Sequence, residues 1–124
     1  MKRNIIRIED ALVLLPSSGE IWMTQHEIAR LFDCFIAKIS SNVRSILKTG
    51  VLDERKVCRT YYYKNGNSVE QYNLEMITAL SFRIKSYNAE IFREWIMKKA
   101  MTKEKTVFVD FQWDVDKIDR KSVV

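Results

Sequence analysis

Residues Thr24 to Gly50 read TQHEIARLFDCFIAKISSNVRSILKTG, and this stretch decides the fold of the chain. Thr24 precedes Glu27 by three residues, the spacing of a capping box, in which each side chain bonds the other residue's backbone amide at a helix start. Apolar residues then recur at helical spacing, at Ile28, Ala29, Leu31 and Phe32. Asp33 tolerates the left-handed conformation of a tight turn, so the first helix is predicted to end there.

A second helix is predicted from residue 36 to residue 48, with Gly50 as its terminator. Its inner side is aliphatic: Ile36, Ile39, Val43, Ile46 and Leu47. Its outer side is cationic or hydroxylic, with Lys38, Ser41, Ser45 and Lys48, flanked by Asn42 and Arg44. Phosphates attract cations and base edges bond short polar groups, so the pattern predicts a helix-turn-helix with this second helix in the major groove. An ordinary helical hairpin with a solvated outer face is the alternative.

The net charge of +5 lies entirely in one window of the chain. Residues 36 to 64 hold seven Lys and Arg against two Asp and Glu, while the other residues hold fourteen of each sign. Positive charge beside a predicted recognition helix is what contact with a phosphate backbone requires. A merely solvated basic face is the competing interpretation.

Composition narrows the class of protein. A length of 124 residues with 3 Gly and 1 Pro predicts one ordered domain. The longest apolar run, from residue 11 to residue 15, is too short to span a bilayer and lacks the flanks of a secretory signal, so a cytoplasmic protein is expected. His26 is the only histidine, and Cys34 and Cys58 lack metal-ligand spacing, so we expect no metal site, no cofactor and no catalytic constellation.

The flanks of the helix pair suggest an α+β fold. In residues 1 to 23 we predict a small hairpin between residues 13–15 and 21–23, with a helix over residues 10–15 as the alternative. A strand from Val57 to Tyr63, an Asn65-Gly66 turn and a return strand over residues 68–72 predict a second hairpin. With a two-residue loop, Tyr63 faces Ser68, Tyr62 faces Val69, Tyr61 faces Glu70 and Arg59 faces Tyr72.

Alternation in this second hairpin predicts which side chains point inward and which point outward. Cys58, Tyr62 and Val69 are expected to look inward, and Arg59, Tyr61, Tyr63 and Glu70 outward, with Lys64 at the tip. A basic, aromatic ribbon after a recognition helix is typical of a wing that reaches phosphates or the minor groove. The alternative is a plain two-stranded edge.

Two further helices and an arm complete the predicted chain. Asn73 is expected to cap a helix over residues 74–86, and Asn88 a helix over residues 89–101. The latter has an apolar stripe at Phe92, Trp95, Ile96 and Ala100, opposite Glu90, Arg93, Glu94 and Lys98. Residues 107–113 are predicted as a strand or a partner-docking arm. The organisation is therefore N-terminal strands over 1–23, a core over 24–101 and an arm over 102–124.

Seven short runs of the chain, taken together with their order and spacing, form a distinctive pattern: Ile21-Trp22-Met23-Thr24-Gln25, Ile28-Ala29-Arg30-Leu31-Phe32, Lys48-Thr49-Gly50-Val51-Leu52, Val57-Cys58-Arg59, Tyr72-Asn73-Leu74-Glu75-Met76-Ile77, Phe82-Arg83-Ile84 and Phe92-Arg93-Glu94-Trp95. Over residues 20 to 100 they resemble the virulence RhuM-like proteins of bacteria. The resemblance implies a winged helix-turn-helix module and a DNA-binding or regulatory role, sometimes tied to mobile genes. In the turn between the two helices and at the start of the second helix, that family has glycine and then small or basic residues. This chain instead has Asp33-Cys34-Phe35-Ile36, and Phe35 and Ile36 are expected to extend the core.

The sequence therefore predicts a non-enzymatic regulator that binds double-stranded DNA, as a homodimer, without a membrane association. The predicted DNA-binding residues are Thr24, Gln25, Lys38, Ser41, Asn42, Arg44, Ser45, Lys48, Arg59, Tyr61 and Lys64. Thr24 and Gln25 are included because a helix N-terminus binds phosphate. The alternative function is an antirepressor-like module that docks a partner protein and does not bind DNA. Its predicted docking residues are Tyr61 and Tyr63 of the second hairpin and Trp113 of the C-terminal arm. An enzyme is a distant third.

Overall fold

A computed structural model describes residues 3–17 and 19–111, and the side chains as far as Met101. The described chain is α+β, with five helices and two small antiparallel sheets. In chain order the elements are β1 (Arg7–Glu9), β2 (Leu12–Leu14), β3 (Trp22–Thr24), α1 (Gln25–Phe32), α2 (Ile36–Thr49), α3 (Glu54–Val57), β4 (Cys58–Tyr62), β5 (Ser68–Asn73), α4 (Leu74–Ser81) and α5 (Tyr87–Phe111).

Helix α1 begins and ends as its sequence predicts. The Thr24 hydroxyl accepts a hydrogen bond from the Glu27 amide at 3.2 Å, and the Thr24 amide donates to Glu27 Oε1 at 2.9 Å. The helix ends at Asp33, whose φ of 54° and ψ of 55° are left-handed. A reciprocal cap of this kind stabilises a helix by about 1 kcal/mol, so local sequence alone fixes both ends of α1.

Helix α2 places its aliphatic residues inward. Ile39, Val43 and Ile46 are buried, and the helix ends at Gly50 with a φ of 78°. The start of the helix differs from the expectation, because Phe35 is 85% exposed instead of extending the core, while Ile36 is half-buried. Phe35 occupies the N-cap position with its side chain directed away from the apolar interior, so only Ile36 of this pair adds to it.

The larger sheet has the strand order β3-β5-β4, and its hairpin differs from the predicted register by one residue. Tyr62 pairs with Ser68, and Arg59 with Gln71 rather than Tyr72. The connection is a three-residue loop closed by the Tyr63 amide on the Asn67 carbonyl at 2.7 Å, with Gly66 at a φ of 95°. A turn followed by a left-handed glycine makes a three-residue loop, the hairpin connection next in frequency after the two-residue one.

The one-residue shift changes the predicted faces of the hairpin. Tyr62 is 72% exposed rather than inward, while Tyr61 is 44% exposed. Val69 pairs with Tyr61 and therefore shares its face, and Glu70 pairs with Thr60 on the other face. The Thr60 hydroxyl donates to Glu70 at 2.7 Å across that second face. The predicted inward direction is thus wrong for Tyr62. Val69 is half-buried and Glu70 is exposed, as predicted, although each shares its face with different residues of β4 than the predicted register gives.

Both strands of the predicted N-terminal hairpin form within one residue of their predicted positions, but they do not pair with each other. Strand β2 pairs with β1 through a two-residue turn at Asp10 and Ala11, which have φ values of 52° and 62°. Strand β3 instead pairs with β5, where Met23 lies opposite Tyr72. The alternative helix over residues 10–15 does not form either. The β1–β2 turn places an alanine in the left-handed region, which sequence signals do not anticipate because alanine rarely adopts it.

The helices after the larger sheet begin and end at positions that differ in part from the predicted ones. Asn73 caps α4 by accepting from the Met76 amide at 3.1 Å, as predicted, but α4 ends at Ser81 instead of residue 86. Ser86, not Asn88, bonds the first turn of α5, since its hydroxyl accepts from the Ala89 amide at 3.1 Å. Asn88 Nδ2 instead donates to the Leu31 carbonyl at 3.0 Å.

Arg93, predicted opposite the apolar stripe of its helix, is half-buried. Its guanidinium donates to the carbonyl oxygens of Ser81 and Ile84, the latter at 3.1 Å, and so binds the chain that follows α4. Two short stretches also differ from their predictions. Val57, predicted to begin the strand, is instead the last residue of α3, so that β4 begins at Cys58. Residues 107–111 belong to helix α5 rather than to a strand. The last two residues of that predicted arm lie outside the described residues.

The interior of the chain up to Arg93 is apolar, and this part packs as one compact unit. Its largest fully buried side chains include Phe32 and Phe92, whose rings meet edge to face with centroids 5.6 Å apart. A second unit begins at Glu94, where the Lys99 ammonium lies 5.8 Å from the centroid of the Trp95 ring. Within residues 3–17 and 19–111, no helix has the length and apolarity that crossing a bilayer demands.

Candidate nucleic-acid interface

The outer face of α2 exposes cations and small hydroxyl groups. Lys38, Ser41, Arg44, Ser45 and Lys48 are all exposed, whereas the opposite side of the helix is buried. In the described chain no carboxylate lies within 4.0 Å of these three cations. Their charge is therefore available to an external anion, and Ser41 and Ser45 place hydroxyl groups on the same face.

Two polar side chains of α2 already bond groups of their own helix. Asn42 is half-buried, and its Nδ2 donates to the Lys38 carbonyl at 2.8 Å. Arg44 Nη1 donates to the Ser40 hydroxyl at 3.1 Å, one turn earlier. Because Arg44 has five donors, this bond leaves most of its guanidinium open, whereas a base contact through the Asn42 amide group would first break its bond to the helix.

Arg83 joins this surface although nothing in the local sequence points to it. It follows α4, is exposed, and donates from Nη1 to the Ser45 hydroxyl at 2.8 Å across 38 positions of sequence. The contact arises because α4 packs against α2. The cationic face of α2 is thus extended by a guanidinium from another element, and only a correct helix packing could have predicted it.

Thr24 and Gln25, predicted as phosphate ligands, each have a partner inside the protein. Thr24 forms the capping box of α1, and Gln25 Nε2 donates to the Tyr72 hydroxyl at 3.0 Å. Burial raises the pKa of Tyr72 and the hydrogen bond from Gln25 offsets part of that shift, so the phenol remains protonated at neutral pH. In this arrangement both residues hold the junction of β3, α1 and β5.

The wing residues divide between two places. Lys64 is exposed at the tip of the β4–β5 hairpin. Arg59 instead lies over the ring of Trp22, with its guanidinium carbon 4.4 Å from the ring centroid, and its Nε donates to Gln71 Oε1 at 2.8 Å. Tyr61 packs edge to face against Tyr63 at 5.2 Å. Arg59 and Tyr61 therefore line one sheet face with Trp22 and Gln71, apart from the hairpin tip.

The two thiols lack the electrostatics of nucleophiles. Burial raises the pKa of Cys58 to about 11, with a contribution from the nearby carboxylates of Glu54 and Glu70. Burial likewise raises the pKa of Cys34, with Asp33 adding to the shift. Both are half-buried free cysteines that stay protonated at neutral pH, which disfavours nucleophilic attack because the thiolate is the reactive form.

Comparisons of the chain with models of protein families, with curated proteins and with solved structures find no match. The resemblance to the RhuM-like proteins therefore stays a prediction from the sequence. A function for the chain has to be inferred from the geometry of α2 and its surroundings.

Proposed function

We propose that this chain is a winged helix-turn-helix protein that binds double-stranded DNA, with α2 as the recognition helix and the β4–β5 hairpin as the wing. The observation that carries the proposal is the outer face of α2, where unpaired cations alternate with hydroxyl groups. Cations position a protein on phosphates, and short polar groups bond base edges.

The arrangement of elements around α2 supports the same proposal. Helix α1 and α2 are joined by three residues, with Asp33 in the left-handed conformation. One strand, β3, precedes this pair, and a hairpin follows it, so that the three strands form a sheet of order β3-β5-β4. A strand that anchors the helix pair and a hairpin that projects beyond it are the parts that a winged helix requires.

The proposed contact surface is narrower than the set of residues that the sequence predicts. It includes the exposed residues of α2, Lys64 at the wing tip and Arg83: Lys38, Ser41, Arg44, Ser45, Lys48, Lys64 and Arg83. Thr24, Gln25 and Asn42 stay outside it because each bonds another group of the protein. Arg59 and Tyr61 stay outside it because they lie with Trp22 and Gln71 on one sheet face, apart from the hairpin tip. A transcriptional or mobile-element regulator of a bacterial cytoplasm, acting as a homodimer on two half-sites, is the corresponding cellular role.

The test is a titration of a labelled, mixed-sequence duplex followed by fluorescence anisotropy at several salt concentrations. We expect binding at low salt that weakens steeply as salt rises. Lys38→Gln with Lys48→Gln is expected to reduce the slope of log K against log salt by about 2, since each phosphate contact contributes about 0.9.

A matched control removes the same charge elsewhere. Arg7 and Arg30 line a groove between the β1 segment and α1, so Arg7→Gln with Arg30→Gln changes the net charge equally at another surface. This control is expected to keep the slope of the unmodified protein. Absence of binding at low salt, or equal losses in the two double variants, would refute α2 as the recognition helix.

A second candidate function is a protein-docking module without DNA binding. It is favoured by the exposure of Tyr62, 72%, together with half-exposed Tyr61 and Tyr63 on one hairpin. Tyrosines of this kind are enriched in protein interfaces. This candidate predicts an association that tolerates high salt and a duplex titration without signal, so the same salt series distinguishes the two.

A further inference from the structure

A cleft of about 460 Å³ lies on the sheet face that carries Arg59 and Tyr61. Its walls come from the N-terminal segment, β3 and the hairpin, and its lining includes Arg3, Trp22, Arg59, Tyr61, Tyr63 and Gln71. All belong to the compact unit that ends at Arg93. A cleft of this volume has room for a compound of one or two rings.

Gln71 is a buried polar side chain with open hydrogen-bond donors. It is 2% exposed, and its Oε1 accepts from Arg59 Nε at 2.8 Å, which fixes the orientation of the amide. Its Nε2 has no acceptor among the residues that the structure describes. A buried donor without an acceptor is destabilising and rare in folded proteins, so this amide favours the binding of an acceptor that enters the cleft.

The other polar groups of the cleft favour the same kind of partner. Arg59 uses only Nε within the described chain, and the Trp22 ring holds the plane of its guanidinium. Its two terminal nitrogens are therefore open, in the fork geometry that binds a carboxylate through two hydrogen bonds. Beside them, Tyr61 and Tyr63 are 44% and 49% exposed, and their rings, which meet edge to face, offer an aromatic surface to a ligand.

The carboxylates around the cleft are already occupied. Arg3 binds both oxygens of Glu27, at 3.0 Å and 2.6 Å, and also donates to the Trp22 carbonyl. Glu20 accepts from Trp22 Nε1 at 2.9 Å. Both oxygens of Glu27 and one oxygen of Glu20 are thus engaged, while the terminal nitrogens of Arg59 and the Nε2 of Gln71 are open, which favours a ligand that brings acceptors.

We propose that this cleft binds a small aromatic carboxylate. The carboxylate lies against the terminal nitrogens of Arg59 and the Nε2 of Gln71, and the ring packs on Tyr61 and Tyr63. The site does not depend on the proposed DNA interface, since none of its residues belongs to the outer face of α2. Its test therefore needs no DNA and can fail separately.

The experiment is a titration of the ¹⁵N-labelled full chain with benzoate, followed by heteronuclear NMR, with benzyl alcohol as the neutral analogue. We expect saturable shifts at millimolar benzoate in the side-chain amide of Gln71 and the indole N–H of Trp22. Benzyl alcohol is expected to bind at least tenfold more weakly, because a hydrogen bond to a charged group contributes a factor of about ten or more.

Variants assign the effect to the open donors. Gln71→Met and Arg59→Lys are each expected to weaken benzoate binding about tenfold to a hundredfold. The control is Arg55→Lys on the exposed helix α3, which replaces an arginine by lysine outside the cleft. This variant is expected to bind benzoate with the affinity of the unmodified protein. Arg59→Lys keeps the test valid if Gln71→Met fails to fold. No saturation, equal affinity for benzyl alcohol, or an Arg59→Lys variant with unchanged affinity would overturn the proposal.

Discussion

Replacing Phe35 by serine is expected to stabilise the protein. Phe35 is the N-cap of α2, in extended conformation, and its side chain makes no capping hydrogen bond. Its 85% exposure means that little apolar burial is lost when the ring is removed. A serine hydroxyl at this position accepts from an amide of the first turn, and a cap of this kind contributes about 0.5–1.5 kcal/mol.

The measurement is thermal unfolding followed by circular dichroism. The entropy of unfolding is about 2.1 cal/mol/K per residue, or about 0.26 kcal/mol/K for 124 residues, so the expected rise in Tm is about 2–6 °C. Phe35→Ala removes the ring without adding a cap, and its free energy of unfolding is expected to stay within about 0.5 kcal/mol of the original.

A Tm lowered by several degrees in both variants would contradict an exposed Phe35 ring. That result would mean that the ring of Phe35 is buried against another surface in solution. A Tm that rises with protein concentration would show that this surface belongs to a second copy of the chain. The same variants test the DNA interface. A loss of affinity of tenfold or more in Phe35→Ser, the size of about one lost base contact, would place Phe35 in the groove beside the middle of α2.

Two further substitutions test contacts that hold the fold. Arg93→Met removes two charge-assisted bonds to the carbonyls of Ser81 and Ile84, and should cost about 2–4 kcal/mol in urea denaturation; a loss below about 0.5 kcal/mol would contradict the contact. Burial raises the pKa of Glu27, but the bonds from Arg3 and the Thr24 amide outweigh it, so the net pKa lies below its ordinary value. The stabilisation from the Arg3–Glu27 pair is complete above pH 4.5 and is lost as pH falls through the lowered pKa of Glu27. The difference in free energy of unfolding between the native protein and Arg3→Gln should therefore shrink as pH falls through that range. A difference that stays constant would contradict the pairing.

Local signals in the sequence predicted both ends of α1, the end of α2 and the start of α4, but not the end of α4 or the cap of α5. The Thr24–Glu27 capping box, the left-handed Asp33 and the terminal Gly50 are all present, since each depends on residues within one turn of itself. Asn73 likewise begins α4 as its side chain predicts. The helix pair at the centre of the fold is therefore determined by short-range hydrogen bonds, whose donors and acceptors can be identified in the sequence.

Pairings between distant strands were harder to predict. Strand β3 has a turn signal before it, which suggested a local hairpin, but it bonds β5 about fifty positions later. The strand that does pair with β2 is β1, through a turn that contains a left-handed alanine. A three-residue strand buries too little surface to select its own neighbour, so the partner is chosen by the tertiary structure rather than by local composition.

The register of the β4–β5 hairpin shows how a local ambiguity decides the chemistry of a surface. In the predicted two-residue loop, Arg59 faced Tyr72, and Gln71 pointed to the opposite side of the sheet. In the observed three-residue loop Arg59 faces Gln71, so its Nε fixes the buried amide and both side chains line the cleft with Trp22. A shift of one residue moves every side chain of a strand to the other face. The proposed carboxylate site therefore exists only in the register that Gly66 sets, and benzoate binding also tests that register.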